Sequence, residues 1–288
     1  MGVKRHSGLN TWRRCGVPTL LGALALSAAA TTAVAGRLPA GPIGRCAPDA
    51  VAAGTACVDR YEATVWRVPG ATTTNALLVR DILRGRTTSA ELAAAGAVQL
   101  GTTTDDYAPC ARDGQDCSGD LYAVSVPGVL PSASITWFQA QEACANSGKR
   151  LPTNAEWQVA ANGTPDSAPD DHANTCTTDD PAGTTPTSSR RDCVSARGAF
   201  DMVGNVAEWV ADWIPRSTAC TGWGGFSDDD MCVAGASDAD PGVGVEAGPG
   251  ALLRGGFFFL AEGSGPLSVI GTVSPIRSQG FFGFRCAR

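Results

Sequence analysis

The chain has 288 residues, 43% of them hydrophobic, with 22 basic residues against 28 acidic ones and a formal net charge of −6. That length permits one or two domains, each with a core large enough to fold alone. The acidic balance argues against nucleic acid and anionic membrane surfaces as partners and suits cation binding.

At the N-terminus Lys4, Arg5, Arg13 and Arg14 precede an apolar run from Val17 to Ala30, and Ala33-Val34-Ala35 supplies small residues for cleavage. This is the pattern of a secretory signal peptide over residues 1–35. Its removal leaves 18 basic residues against 28 acidic ones, a balance of −10, with Lys149 as the last lysine. Export is expected, to the periplasm, cell surface or extracellular space, and no later stretch is apolar enough to span a bilayer. Of the 11 cysteines, Cys15 falls in the signal and ten remain, an even number that reads as a disulfide framework in an oxidising compartment. Proximity suggests Cys46–Cys57, Cys110–Cys117, Cys176–Cys193 and Cys220–Cys232, which leaves Cys144 and Cys286. No C-x-x-C spacing occurs, so zinc is not expected.

Residues 36–45 form a Pro/Gly-rich linker. Cys57 to Trp66 alternates enough to be the first strand, and the Ala-rich stretch Thr87 to Gly101 reads as helical. Thr102 to Gly119 is polar and turn-forming. Two capped helices are written between Ile135 and Ala161. Thr136 with Gln139 and Thr153 with Glu156 are capping boxes, Gly148 stops the first helix and Pro152 breaks the chain before the second. Trp137, Ala140 and Cys144 share one helical face; Trp157, Ala160 and Ala161 form the next apolar stripe. Asn162 to Arg197 and Pro215 to Gly250 are irregular and polar. Between them, Gly204 and Asn205 permit a tight turn at positive φ, flanked by the carboxylates of Asp201 and Glu208. Two carboxylates with carbonyls between them are the all-oxygen donor set that calcium prefers. Trp137, Trp157, Trp209 and Trp213 are read as core, and Arg150 and Arg254 as internal hydrogen-bond hubs.

Four stretches carry a family resemblance: CVDRYEATVW from Cys57, ITWFQAQEACANSGKRLPTNAEWQVAA from Ile135, GAFDMVGNVAEWVADW from Gly198, and LLRGGFFF with a later GFRCAR. Together they resemble the formylglycine-generating, or sulfatase-modifying factor, domain family over residues 46–288. The resemblance implies an α+β, irregular C-type-lectin-like domain, loop-rich and stabilised by disulfides and calcium. Against that pattern residues 67–130 are long and are taken as an insertion. The family often ties its first signature helix to the terminal GFRC, which implies a Cys144–Cys286 bridge. Its structural calcium maps onto Asp201, Gly204, Val206 and Glu208, and a second site onto Asn174 and Thr175.

Members that make formylglycine bind copper(I) through two cysteines between the R-G-G and G-F-R motifs, because soft thiolates suit that ion. Here Gly255 to Arg285 contains no cysteine. A related branch holds iron with three histidines, and the chain beyond the signal has only His172. Neither copper nor iron is therefore expected, and no catalytic residue is assigned. The expected function is an exported binding or scaffold module for a peptide, glycan or partner enzyme. The alternatives are an oxidoreductase with oxygen-ligated metal and a lectin-like adhesion module.

Overall fold

The computed structural model describes residues 46–166, 169–214, 227–232 and 249–288. The expected signal peptide and linker, Cys220 and the side chain of Cys232 lie outside the described residues. The domain opens with a hairpin of β1 (Ala50–Ala53) and β2 (Ala56–Asp59), turned at Gly54. β3 (Ala63–Arg67) follows, so the single strand expected from Cys57 to Trp66 is two strands. The break has a physical cause. Asp59 and Glu62 are both fully buried, and the bend at Arg60–Tyr61 lets each carboxylate reach its own polar partners.

In the insertion, α1 (Ala76–Leu83) precedes α2 (Ser89–Ala94), which Thr88 and Glu91 cap reciprocally. The helix expected over Thr87 to Gly101 is thus shorter. Gly96 at φ +73° turns the chain, and β4 (Val98–Leu100) pairs with β3 instead. β5 (Leu121–Ser125) completes a three-stranded sheet ordered β4-β3-β5.

α3 (Trp137–Asn146) and α4 (Asn154–Ala161) carry both capping boxes read from sequence. α3 buries Ala140 and Cys144, while α4 buries Trp157, Ala160 and Ala161. These helices pack beside the second sheet, whose strands are β6 (Ala207–Ile214), β7 (Met231–Cys232), β8 (Gly250–Arg254), β9 (Val269–Val273) and β10 (Phe282–Phe284). Their order is β10-β6-β8-β9-β7, with β10 parallel to β6 and β7 parallel to β9. The fold is therefore α+β and loop-rich.

Among the described residues four disulfides join Cys46–Cys57, Cys110–Cys117, Cys144–Cys286 and Cys176–Cys193. The Cys144–Cys286 bridge spans 142 residues of sequence. In the chain-entropy picture a loop that long is worth about 4–5 kcal/mol.

Two side chains sit elsewhere than expected. Trp213 is 40% exposed, because it lies near the outer end of β6, where its ring meets Trp137 and Phe138 edge-on. Arg150 is no internal hub: its side chain is 44% exposed and forks onto Glu156 at the mouth of α4. Trp157 and Trp209 are fully buried, and their indole N–H groups donate to Glu208 and to the Ile135 carbonyl.

Lys149 is buried between two aspartates, 2.8 Å from Asp49 and 2.7 Å from Asp59, and Arg288 reaches Asp49 at 3.1 Å. Burial works to raise the Asp49 carboxyl, but Lys149 and Arg288 outweigh it and hold that acid below its usual range. Asp59 lies deeper, and burial, with the repulsion of Asp49, pushes it up to about 6 despite Lys149. An unfolded aspartate titrates near about 3.9, so the folded chain holds this proton between about pH 4 and 6. The resulting stability is complete below about pH 4 and is lost as pH rises through about 6. Denaturant midpoints followed across that window should fall for the wild type and stay flatter for Asp59→Asn. An identical slope in both proteins would show that Asp59 does not titrate there.

Candidate functional site

The turn between Phe200 and Glu208 is built from backbone conformations that L residues rarely adopt. Asp201, Gly204 and Asn205 have φ of +57°, +73° and +59°. At Gly204 a Cβ would stand 2.1 Å from the Thr177 carbonyl oxygen, so only glycine lets the two segments approach. Asn205 holds the turn in place. Its side chain donates to Glu62 at 2.6 Å and accepts from the Thr185 N–H at 2.8 Å.

The turn gathers three buried carboxylates, Glu62, Asp201 and Glu208, around one buried guanidinium, Arg285. Arg285 grips Glu208 in a fork, Nη2 to Oε1 at 2.5 Å and Nε to Oε2 at 2.7 Å, while Trp157 donates to the same Oε2 at 2.6 Å. Its remaining N–H groups reach the carbonyls of Asp59 at 3.0 Å and Phe200 at 2.9 Å. One cation against three acids leaves the cluster short of positive charge. Burial, then the Asp201 and Glu208 charges, pushes Glu62 well above the carboxylate range. Burial pushes Asp201 up to about 7, with Glu208 adding to the effect and the Ser188 N–H and Arg285 opposing it. Burial works against the charge on Arg285, but Glu208 outweighs it and holds the guanidinium firmly protonated.

The donors at this turn are all oxygen, the type that a hard divalent cation takes. Asp201 engages one carboxylate oxygen with the Ser188 N–H at 2.6 Å, and among the described residues the carbonyls of Gly204 and Val206 accept no hydrogen bond. Glu208 is the constrained member, since Arg285 and Trp157 already hold both of its oxygens.

The second expected pair, Asn174 and Thr175, lies in a different setting. The Asp171 carboxylate accepts the N–H groups of Ala173, Asn174 and Thr175 and the Thr175 hydroxyl, which closes a tight local turn. Beside it Asp170, His172 and Asp180 bring one ligand atom each within 4.8 Å of one another. Arg190 supplies cationic charge there, 2.6 Å from Asp180 and 3.9 Å from Asp170.

Between β8 and β9 the chain forms an aromatic surface. Gly255 and Gly256, at φ +87° and +79°, turn the backbone so that Ser264 Oγ accepts the Phe257 N–H at 3.2 Å. Phe258 is pinned at both ends, donating to the Asn205 carbonyl and accepting from the Asp180 N–H at 2.7 Å. The ring of Phe259 is 50% exposed and touches Phe257, Phe258 and Phe281 with centroids 4.5, 4.8 and 5.0 Å away. Below them Arg254 is buried, donates to the carbonyls of Leu267 and Ser268, and stacks over Trp157 at 4.6 Å. Burial lowers it to about 10.

Glu62, Arg285 and Arg190 were not singled out by sequence reasoning. Glu62 left a signal, a charge flanked by buried strand positions, where only a compensating partner makes burial tolerable. The Arg285 pair gives the sharpest test of this geometry. Replacing the guanidinium (Arg285→Met) leaves the buried Glu208 without its cation and should cost about 3–5 kcal/mol in chemical denaturation. A loss below about 1 kcal/mol would mean that the acids are neutral by other means.

The sequence profile described as the sulfatase-modifying factor enzyme 1-like domain matches residues 88–288. The formylglycine-generating enzyme of Thermomonospora curvata is 28% identical over 180 residues, covering 54% of this chain and 55% of that enzyme. The serine/threonine-protein kinase Pkn1 of Chlamydia trachomatis serovar L2 is 30% identical over 166 residues, 55% of this chain. The match spans only 24% of that kinase's length. Among solved structures, the Major Tropism Determinant M1 variant is similar with a TM-score of 0.45 at 18% identity, covering 85% of this chain and 53% of the other. PvdO from Pseudomonas aeruginosa has a TM-score of 0.39 at 19% identity, covering 81% of this chain and 80% of the other. Since one profile matches the greater part of its length, the chain belongs to the sulfatase-modifying factor enzyme 1-like family, the family of the formylglycine-generating enzymes.

Proposed function

We propose that this is a non-oxidising member of its family, an exported module that binds an apolar peptide segment of a partner protein. The observation that carries the reading is the exposed ring of Phe259, which with the half-buried Phe258 and Phe281 packs against the buried Phe257. It stands between the R-G-G and G-F-R motifs, where copper-binding relatives carry their two cysteines. Hydrocarbon there offers no soft donor to copper(I). It does offer apolar area, and sealing one phenylalanine from water is worth about 1.5–3 kcal/mol. The backbone bonds of Phe258 and Ser264 hold the rings ready, which limits the ordering entropy lost on binding. Four disulfides support an oxidising compartment.

In this reading Asp201, Glu208 and the carbonyls of Gly204 and Val206 hold a calcium ion, which supplies the positive charge that the buried acids lack. Such a site sets the conformation of the turn and, through Asn205 and Phe258, the placement of the aromatic surface. Calcium should raise the melting temperature and excess EDTA should lower it. Equal melts in both would remove the ion from the account.

The binding role is tested by panning a displayed peptide library on the immobilised protein. Peptides with aromatic or large aliphatic anchors should be enriched, and Phe259→Ser should weaken them about tenfold, the loss of roughly one buried ring edge. Enriched peptides indifferent to Phe259, or no enrichment at all, would refute the surface. Conversion of a Cys-x-Pro-x-Arg peptide to an aldehyde by the copper-loaded protein would refute the non-oxidising assignment.

A further inference from the structure

The exposed ring of Phe259 has an acidic flank. Residues 260–268 return the chain from the aromatic rings to β9, and two other segments are fastened to that return. On one side the Ala261 N–H donates to the Thr178 carbonyl at 2.8 Å, and the Asp180 N–H donates to Phe258 at 2.7 Å. Asp179 therefore stands between two residues held beside the rings. On the other side the Asp230 N–H donates to the Gly263 carbonyl at 2.9 Å and the Leu267 N–H to Asp229 at 3.0 Å. Those bonds bring the run Asp228-Asp229-Asp230 alongside. Glu262 lies on the return itself, three residues past Phe259.

Asp179, Asp228, Asp230 and Glu262 are exposed, and none of them forms an ion pair among the described residues. Asp166, also exposed, joins them from beyond α4. Burial, then repulsion from Asp229 and Asp228, pushes its carboxyl up to about 6. Repulsion among neighbours on this scale marks a strip short of cations. Arg254 attracts the buried Asp229, but it lies beneath the rings and donates to the carbonyls of Leu267 and Ser268. The sequence holds no basic residue between Arg216 and Arg254. Arg277, half-buried and four residues before Phe281, is one base against five exposed acids.

We infer that the segment received at Phe259 is cationic: an aromatic or large aliphatic anchor with lysine or arginine beside it. This rests on the peptide-binding reading and names its partner class. The anchor covers the ring, and its basic neighbours lie over carboxylates that no other base engages. At physiological salt the field of such a strip persists over about 8 Å, so it acts on a chain seated at the ring. The two features divide the work. Apolar contact sets how long the complex lasts, and the acidic strip sets how fast it forms.

Three synthetic peptides test this, each with a Phe-Leu-Phe anchor and with lysine, glutamine or glutamate on both sides. Binding to the immobilised protein is followed by surface plasmon resonance at low and at high sodium chloride. The lysine peptide should associate about tenfold faster than the glutamine peptide, and the glutamate peptide slowest of the three. High salt should shrink the difference while dissociation stays nearly unchanged. Combining Glu262→Gln with Asp228→Asn removes two charges at exposed positions where folding is safe. It should slow the lysine peptide about threefold and leave the glutamine peptide as it was. Equal association of the three peptides, rates indifferent to salt, or a wild-type rate for the lysine peptide in the double variant would overturn the inference. Equal binding of all three that is lost in Phe259→Ser would refute the charge assignment and leave the peptide-binding reading standing. Failure of all three to bind would remove both.

Discussion

The fork between Arg285 and Glu208 is the contact through which distant parts of this chain meet. Glu208 lies on β6, in register with Gly283 on β10 and Arg254 on β8. Arg285 follows β10 directly and reaches back to carbonyls at Asp59 and Phe200. One guanidinium thereby joins the first hairpin, the acid turn and the second sheet. A buried pair of this kind adds little net stability over a hydrocarbon replacement, but breaking it is expensive. Its service is specificity: the strands can assemble in other registers only by leaving a charge without its partner.

Around that contact the domain is short of regular structure. Long stretches of the described chain, including 170–206, are turns and bends, which bury little apolar area per ordered residue. What holds them is local. Asp171 closes one turn with four hydrogen bonds, the Cys176–Cys193 bridge closes another, and Arg190 pairs with Asp180. The loops reach the aromatic surface through backbone bonds from Asp180 and Ala261 to their neighbours, so surface and support are one structure.

Much of this was legible in the sequence wherever the chemistry is local. Thr136 with Gln139 and Thr153 with Glu156 announce helix starts because each cap closes within three residues. The turn at Gly204 and Asn205 is announced by residue types that tolerate positive φ. What escaped was long-range or decided by burial. Arg285 finds partners 77 and 226 residues away in sequence, at Glu208 and Asp59, and no window along the chain contains both. The strand from Cys57 breaks because two buried acids face different partners, which alternation cannot express. Val98-Gln99-Leu100 became an edge strand and not a helix because β3 offered it a free edge. Trp213 was read as core from its motif, but its position near the end of β6 leaves it half open to solvent.

The closing residues of the core are also late ones. Phe282 and Phe284 complete the sheet, Cys286 bridges to Cys144, Ala287 exchanges backbone bonds with Arg150, and Arg288 does so with Cys57. The β1–β2 hairpin pairs within itself, but the outward N–H groups of Cys57 and Asp59 find their acceptors only at Arg288 and Cys286. Closing that seam therefore ties the first hairpin, α3 and the second sheet together in one step, by backbone bonds and the Cys144–Cys286 bridge at once.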